Sequence, residues 1–326
     1  MWSLNPKCRQ LPRERLTVRT VDLSSTAGAR NRWESGKHGH PSEFSESNGS
    51  PCRYQRYLVS VPTTDQYTMV QASVIGCGNM GGALVKGLSR TGNHTVVAYD
   101  VDPEALDAIS EYCSATTMDI DVATEPEIVF VAVKPNLVGD VVAELELDPE
   151  QTLITIAAGV PTAMLEARTD ATVVRVMPNL AAESGTMAAA VAGAEVTDDV
   201  ESLLEDVGIF VEIDEAQMDV ATAVNGSGPA FVFYLLNAVQ QAGVNSGLSP
   251  EDARILAAQT FKGAAETVLR SDDSIDELID AVCSPKGTTI AGMEVLRDSS
   301  VEETIGGAVT AAENRSKELA PDYDDE

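Results

Sequence analysis

Histidine is almost missing from this chain. There are three, His38, His40 and His94, and two of them fall within the first 68 residues. None is placed to serve as a general acid, and no cluster has the spacing of metal ligands. The reaction, if there is one, then needs no histidine acid–base work. Cysteine gives no framework either. Cys8, Cys52, Cys77, Cys113 and Cys283 are odd in number and lack CxxC spacing, so they read as reduced cytosolic thiols. No apolar run approaches the length of a membrane-spanning helix. Basic residues are scarce where it matters most: residues 69–326 hold 12 Lys/Arg against 45 Asp/Glu, a net −33. Such a surface argues against nucleic-acid and anionic-membrane partners. It suits a cytoplasm of very high salt, where self-repulsion is screened, although an acidic protein of ordinary cytoplasm has the same composition.

What is present organises itself around residues 74–82. The apolar run Ala72 to Ile75 leads into Gly76-Cys77-Gly78-Asn79-Met80-Gly81, and a small-residue helical pattern follows from Gly82 to Leu88. Gly76 permits the tight turn off a strand, Gly78 lets backbone approach a pyrophosphate, and Gly81 lets helix and strand pack closely. A second strand, Thr95 to Tyr99, leads into Asp100. Its distance from Gly76 is close to that expected for the acid that holds an adenosine ribose.

Before this stretch, residues 1–68 mix Arg, Ser, Pro and Gly with little apolar periodicity. They read as a disordered extension or a start-site artefact ahead of Met69. After it, Ile128 to Val133, Leu153 to Ala157, Thr172 to Val176, Met187 to Val191 and Ile209 to Ile213 read as strands. Pro103 to Ser110 and Leu137 to Leu147 carry helical spacing. This rhythm predicts an α/β Rossmann domain over 69–217, with a doubly wound parallel sheet. From Met218 onward only helices are expected, giving an all-α domain over 218–326: Met218 to Val224, Ala230 to Ala242, Pro250 to Leu269 capped by Ser249, Ile275 to Val282, Thr289 to Leu296 and Val301 to Leu319. Ala230 to Ala242 is apolar nearly all round and must be buried on every side, which points to dimerisation through this domain.

Three further segments carry candidate chemistry. Ala132-Val133-Lys134-Pro135 lies at the C-terminal end of a central strand, where ligands of such sheets bind; on composition alone it reads as a strand stop with an exposed lysine. Asn225-Gly226-Ser227-Gly228-Pro229 breaks an apolar helical stretch, either for close approach of a ligand or as a simple loop. Cys283-Ser284-Pro285-Lys286-Gly287-Thr288-Thr289 precedes a helix and reads as an anion site or as ordinary capping.

Taken together, these residues resemble pyrroline-5-carboxylate reductase, the enzyme of the last step of proline synthesis. The similarity runs from Val70 to about Leu319 on five motifs in order: Ile75 to Gly81, Ala132 to Pro135, Met177-Pro178-Asn179, Gly226 to Ala230 and Ser284 to Thr289. The resemblance implies a Rossmann domain followed by a helical dimerisation domain, in dimers that stand alone or assemble further. It implies NADH or NADPH held by Gly76, Cys77, Gly78, Asn79, Met80, Gly81, Asp100, Ala132, Val133, Lys134, Pro135 and Asn179. It places the imino-acid carboxylate on Ser284, Pro285, Lys286, Gly287, Thr288 and Thr289 beside Gly226, Ser227 and Gly228, with Ser227, Thr288 and Thr289 as the catalytic hydroxyls and no metal.

The chain departs from the family pattern in three places. Lys286 replaces a small residue, Leu180-Ala181 follows Asn179 where Thr-Pro is common, and Tyr234 stands where some members have threonine. Asp100, with Asp102 beyond it and no arginine following, favours NADH over NADPH. Two other readings remain. A β-hydroxyacid dehydrogenase needs an asparagine four residues after its helical lysine, but Lys262 is followed by Glu266. A nicotinamide-binding protein without turnover would not need the substrate-side loop.

Overall fold

The computed structural model describes residues 69–319. The reading of 1–68 as a dispensable extension lies outside them, as do residues 320–326. Eight strands follow in chain order: β1 (Val70–Ile75), β2 (His94–Tyr99), β3 (Ala115–Thr117), β4 (Ile128–Val131), β5 (Thr152–Thr155), β6 (Thr172–Met177), β7 (Met187–Gly193) and β8 (Gly208–Glu212). They form one sheet in the order β3-β2-β1-β4-β5-β6-β7-β8. The chain moves outward from β1 through β2 to β3, then returns to lay β4 on the other side of β1. The resulting switch point opens a crevice at the carboxyl ends of β1 and β4, where doubly wound sheets bind their ligands.

The central strands are buried on both faces, as parallel strands covered by helices must be. On one face Ala72, Val74, Phe130 and Ile154 pack with Leu84, Val85 and Leu88 of α1 (Asn79–Ser89). On the other, Ile75, Val129, Val131 and Leu153 pack with Val138 and Val142, which lie on a later helix (Pro135–Glu144). Leu88 is fully buried, so truncating it to alanine costs about 2–5 kcal/mol. Between these two helices lie α2 (Pro103–Asp107) and α3 (Ile120–Ala123); Pro135–Glu144 is α4, followed by α5 (Thr162–Glu166) and α6 (Asp198–Val207).

Two features depart from the sequence reading. The sheet is not parallel throughout: β7 runs antiparallel to β6, and β8 then pairs parallel with β7. Residues 178–186 connect β6 to β7 and include only a short 3-10 turn. A parallel return needs a crossover of a dozen or more residues, so this link can only reverse. Second, β3, α3, α5 and α6 were not anticipated. The stripe of α6 was nevertheless present, because Val200, Leu203, Leu204 and Val207 stand at i, i+3, i+4 and i+7 and all are buried.

The remaining elements are helical: α7 (Met218–Ala221), a π-helical turn (Thr222–Gly226), α8 (Gly228–Asn245), α9 (Pro250–Arg270), α10 (Ile275–Val282), α11 (Thr288–Arg297) and α12 (Val301–Leu319). Ser249 caps α9 as expected, its hydroxyl accepting from the Asp252 N–H at 3.1 Å. The expected break at 225–229 is not a loop. The Ser227 N–H reaches back to the Thr222 carbonyl at 3.0 Å, so the π turn absorbs the irregularity and α7 runs on into α8. Buried Ser316 of α12 donates to Asp219 of α7 at 2.7 Å, fastening the last helix to the first.

The apolar helix α8 is not enclosed within one chain. None of its residues is buried, and Phe233 and Tyr234 are 67% and 78% exposed. The same holds for α10 and α11. No described helix is long and apolar enough to cross a membrane. At the start of this helical region, Glu215 meets buried Arg175 of β6 at 2.6 Å and accepts from the Thr162 N–H at 3.4 Å. Arg175 is buried and Glu215 about a third exposed, so removing Glu215 would leave a buried guanidinium without this charge partner.

Candidate active site

The glycine-rich turn and the β4 strand end are brought together at the switch point. Gly76 sits at φ +95°, where only glycine is at ease, and a Cβ on it would come within 2.9 Å of the Val133 side chain and 3.0 Å of the Ala132 backbone. A Cβ on Gly81 would lie 1.8 Å from the Gly76 carbonyl oxygen, so α1 can press on the turn only with glycine there. Gly78 is different: a Cβ would meet nothing within 4 Å. One face of the turn is therefore packed against β4 while the other is open, ahead of an α1 first turn that has no side-chain cap and no acidic residue. Open backbone at an uncapped helix N-terminus fits the pyrophosphate of a dinucleotide. Asn79 and Met80 begin that helix, and Lys134 and Pro135 begin α4 on the facing side, with Lys134 exposed.

Asp100 follows β2 immediately and is fixed from two sides. One carboxylate oxygen accepts from the Cys77 N–H at 2.6 Å, and the other accepts from the Asp102 N–H at 2.9 Å. The acid thus stands against the glycine-rich turn, just past the carboxyl end of β2. Cys77 itself faces inward. Burial first, and then the Asp100 charge, push its thiol up to about 12, so at neutral pH it is a protonated, packed side chain.

The β6 strand end and the Gly226 segment are joined by two asparagines. Asn179 is buried and caps the 3-10 turn after β6, its Oδ1 accepting from the Ala181 N–H at 3.1 Å. Its Nδ2 donates to the Asn225 carbonyl oxygen at 3.3 Å. Asn225 is the last residue before Gly226, and its own Nδ2 donates to the Met177 and Ala188 carbonyl oxygens at 2.7 and 3.0 Å. The Met177–Asn179 strand end and the Gly226–Ala230 helix start, read as two motifs in sequence, are one junction in space. The sequence reading passed over the Asn225 side chain, since an asparagine beside glycine signals a turn and nothing more.

The third segment is a tight turn. The Gly287 N–H donates to the Ser284 carbonyl oxygen at 2.9 Å, with Pro285 and Lys286 at the corner. Lys286 is the one non-glycine residue with positive φ, +63°, among the described residues. Proline followed by a positive φ is the pattern of a type II turn, whose second corner normally takes glycine. This explains why a small residue is usual there. Gly287 is also constrained, as a Cβ would lie 2.4 Å from the Ser284 Oγ. Thr288 and Thr289 open α11 and are exposed in the single chain, as are Ser284, Pro285 and Lys286.

His94, placed by the sequence in the turn before the second strand, is instead the first residue of β2. Its buried ring lies 2.7 Å from Asp206 at the edge of the sheet opposite the crevice. Among the described residues no group of His, Cys, Asp and Glu is arranged to hold a metal ion.

Comparison with known proteins bears on both halves of the chain. Residues 215–319 match the family model described as pyrroline-5-carboxylate reductase dimerisation, and residues 71–159 match that described as NADP oxidoreductase coenzyme F420-dependent. The chain is 38% identical over 259 residues to pyrroline-5-carboxylate reductase of Methanosarcina acetivorans, covering 75% of this chain and 96% of that one. Among solved structures it resembles a pyrroline-5-carboxylate reductase from Coxiella burnetii, with a TM-score of 0.70 and 32% identity, covering 78% of this chain and 99% of that one. It also resembles Plasmodium falciparum pyrroline carboxylate reductase with NADP bound, with a TM-score of 0.67 and 29% identity over 78% and 100% of the two chains. A Rossmann crevice built for a nicotinamide dinucleotide, a helical dimerisation domain and this level of identity over nearly the full length of a relative lead to one conclusion: the chain belongs to the pyrroline-5-carboxylate reductase family.

Proposed function

We propose that this protein reduces the C=N bond of 1-pyrroline-5-carboxylate to give proline, using reduced nicotinamide dinucleotide. The observation that carries the reading is the junction between Asn179 and Asn225, which joins the carboxyl end of β6, in the same sheet as the crevice at β1 and β4, to the Gly226–Pro229 helix start. When bound, the dinucleotide supplies a hydride. The chain's residues have the task of holding the imine carbon against it, and an imine with a protonated nitrogen takes hydride without further activation. Positioning does most of the catalysis.

Three assignments follow. Gly76 to Gly81 bind the pyrophosphate, with Ala132 to Pro135 and Asn179 on the nicotinamide side. The imino-acid carboxylate sits at the α11 N-terminus, where backbone N–H groups and the Thr288 and Thr289 hydroxyls donate, near Ser227. Asp100 selects NADH: its charge is held at the ribose end by two backbone N–H groups, and the residues after it, Val101-Asp102-Pro103-Glu104, offer no cation to a 2′-phosphate. Helices α8, α10 and α11 bury nothing within one chain, which supports a homo-oligomer assembled through them. The acidic surface supports work in concentrated salt, in the cytoplasm.

The test is turnover of racemic 1-pyrroline-5-carboxylate with reduced cofactor, in low and high salt, with proline identified as product. Oxidation of cofactor without proline, or cofactor binding without oxidation, would defeat the proposal.

A further inference from the structure

We propose that Asn225 is a positioning residue for hydride transfer: its side-chain amide fixes the helix start that carries the substrate-side residues to the strand end on the cofactor side. The β6–β7 ladder runs from the Val174–Gly193 pair to Met177–Ala190 and stops. The Asn225 Nδ2 enters beyond that last pair, donating to the Met177 carbonyl oxygen at 2.7 Å and to the Ala188 carbonyl oxygen at 3.0 Å. One amide nitrogen thus spans both strands at the point where they part.

The backbone of the same residue is held as well. Its carbonyl oxygen accepts from the Asn179 Nδ2 at 3.3 Å, so strand end and π turn exchange an amide donor in each direction. The turn that carries Asn225 is π-helical, closed by the Ser227 N–H on the Thr222 carbonyl oxygen, a rare geometry that occurs frequently at functional sites. Stability alone would not select this arrangement. The Asn225 Oδ1 is buried with no hydrogen-bond partner among the described residues, and an orphaned acceptor is a cost that a smaller side chain would avoid. What the arrangement does secure is the register between Met177–Asn179 and Gly226–Pro229.

The inference rests on the reductase reading, and the experiment separates the two. In the full-length protein, Asn225→Ala is compared with wild type for kcat on the imine, for NADH affinity, and for the isotope effect with 4,4-dideuterated NADH. A displacement of about 1 Å at a reacting centre costs roughly 100-fold in rate, so kcat should fall about 30- to 100-fold. The isotope effect should rise as hydride transfer becomes limiting, while NADH affinity stays within about twofold. Asn225→Ser, which keeps one donor, should recover part of the loss. A purely structural role would lower Tm and leave the isotope effect at the wild-type value, and that result overturns the inference. Loss of NADH affinity in step with kcat also overturns it. If Asn225→Ala is too unstable to purify, Asn225→Asp, isosteric but without the donors, is judged by the same two readings. Absence of imine reduction by wild type would instead remove the reductase reading itself.

Discussion

Asn179 and Asn225 hold each other across the junction between the sheet and the helices. The first gives its side-chain amide to the carbonyl of the second at 3.3 Å, and the second gives its own to Met177, two residues before the first, at 2.7 Å. Asn179 is buried and spends its Oδ1 on the Ala181 N–H, so its remaining donor has one direction to take. The pair closes a ring from β6 through the π turn and back. Hydride chemistry tolerates little play between donor and acceptor, and the proposed role of this ring is to limit it.

The position of Asp100 bears on cofactor choice. Replacing it with asparagine removes the charge and keeps one oxygen for the Cys77 or the Asp102 N–H. Wild type should prefer NADH, and Asp100→Asn should shift the ratio of kcat/KM toward NADPH by about tenfold, the worth of one screened charge contact near 1.4 kcal/mol. Steady-state kinetics with both cofactors measure it. Equal use of the two by wild type would argue against the assignment.

At the α11 start, Thr288→Val keeps the shape and removes one donor. A lost hydrogen bond to a charged group is worth roughly 1.5–3 kcal/mol, so kcat/KM for the imine should fall by about one to two powers of ten. NADH affinity should stay where it was. Weakened NADH binding with unchanged imine kinetics would place the carboxylate elsewhere.

Lys286 stands at φ +63°, which costs a side-chain-bearing residue roughly 1–2 kcal/mol, partly offset by the greater unfolded-state freedom of glycine. Lys286→Gly should therefore stabilise the protein by about 1 kcal/mol in urea unfolding. A loss of stability would show that the turn does not need a left-handed corner.

Cys77 makes stability depend on alkaline pH. Its thiol is held near 12 in the folded protein against 9.0 in the unfolded chain. Its contribution is fully present below about pH 9 and is lost as pH rises through the folded value, because the unfolded state gains ionisation first. Cys77→Ala should flatten the fall in stability between pH 9 and 12, by at most ~4 kcal/mol at about 1.4 kcal/mol per unit. An unchanged slope would mean that the thiol is not shielded.

Much of this site is written locally. Gly76, Gly78 and Gly81 follow a strand and open a helix; Gly76 and Gly81 have a steric reason to be glycine, and Gly78 leaves the face of the turn open. Lys286 stood out as a departure from the family pattern, and the left-handed corner of its turn gives the physical reason. The reversal of β7 could have been inferred from the shortness of residues 178–186, and α6 from its apolar stripe. The junction could not. Whether Asn225 faces solvent or a strand end depends on where β6 stops, and its neighbours Met177 and Ala188 lie 48 and 37 residues away. The uncovered α8 was legible too, since a helix that is apolar nearly all round needs more cover than a small helical domain supplies, and none of its residues is buried within one chain.

The central claim is that hydride passes to the imine carbon held at this junction. Incubating the protein with 1-pyrroline-5-carboxylate and 4,4-dideuterated NADH, then locating the label by mass spectrometry and NMR, tests it directly. The account predicts proline carrying one deuterium at the former imine carbon, formed in step with NADH oxidation. Proline without deuterium, or oxidised cofactor with no proline, would contradict it.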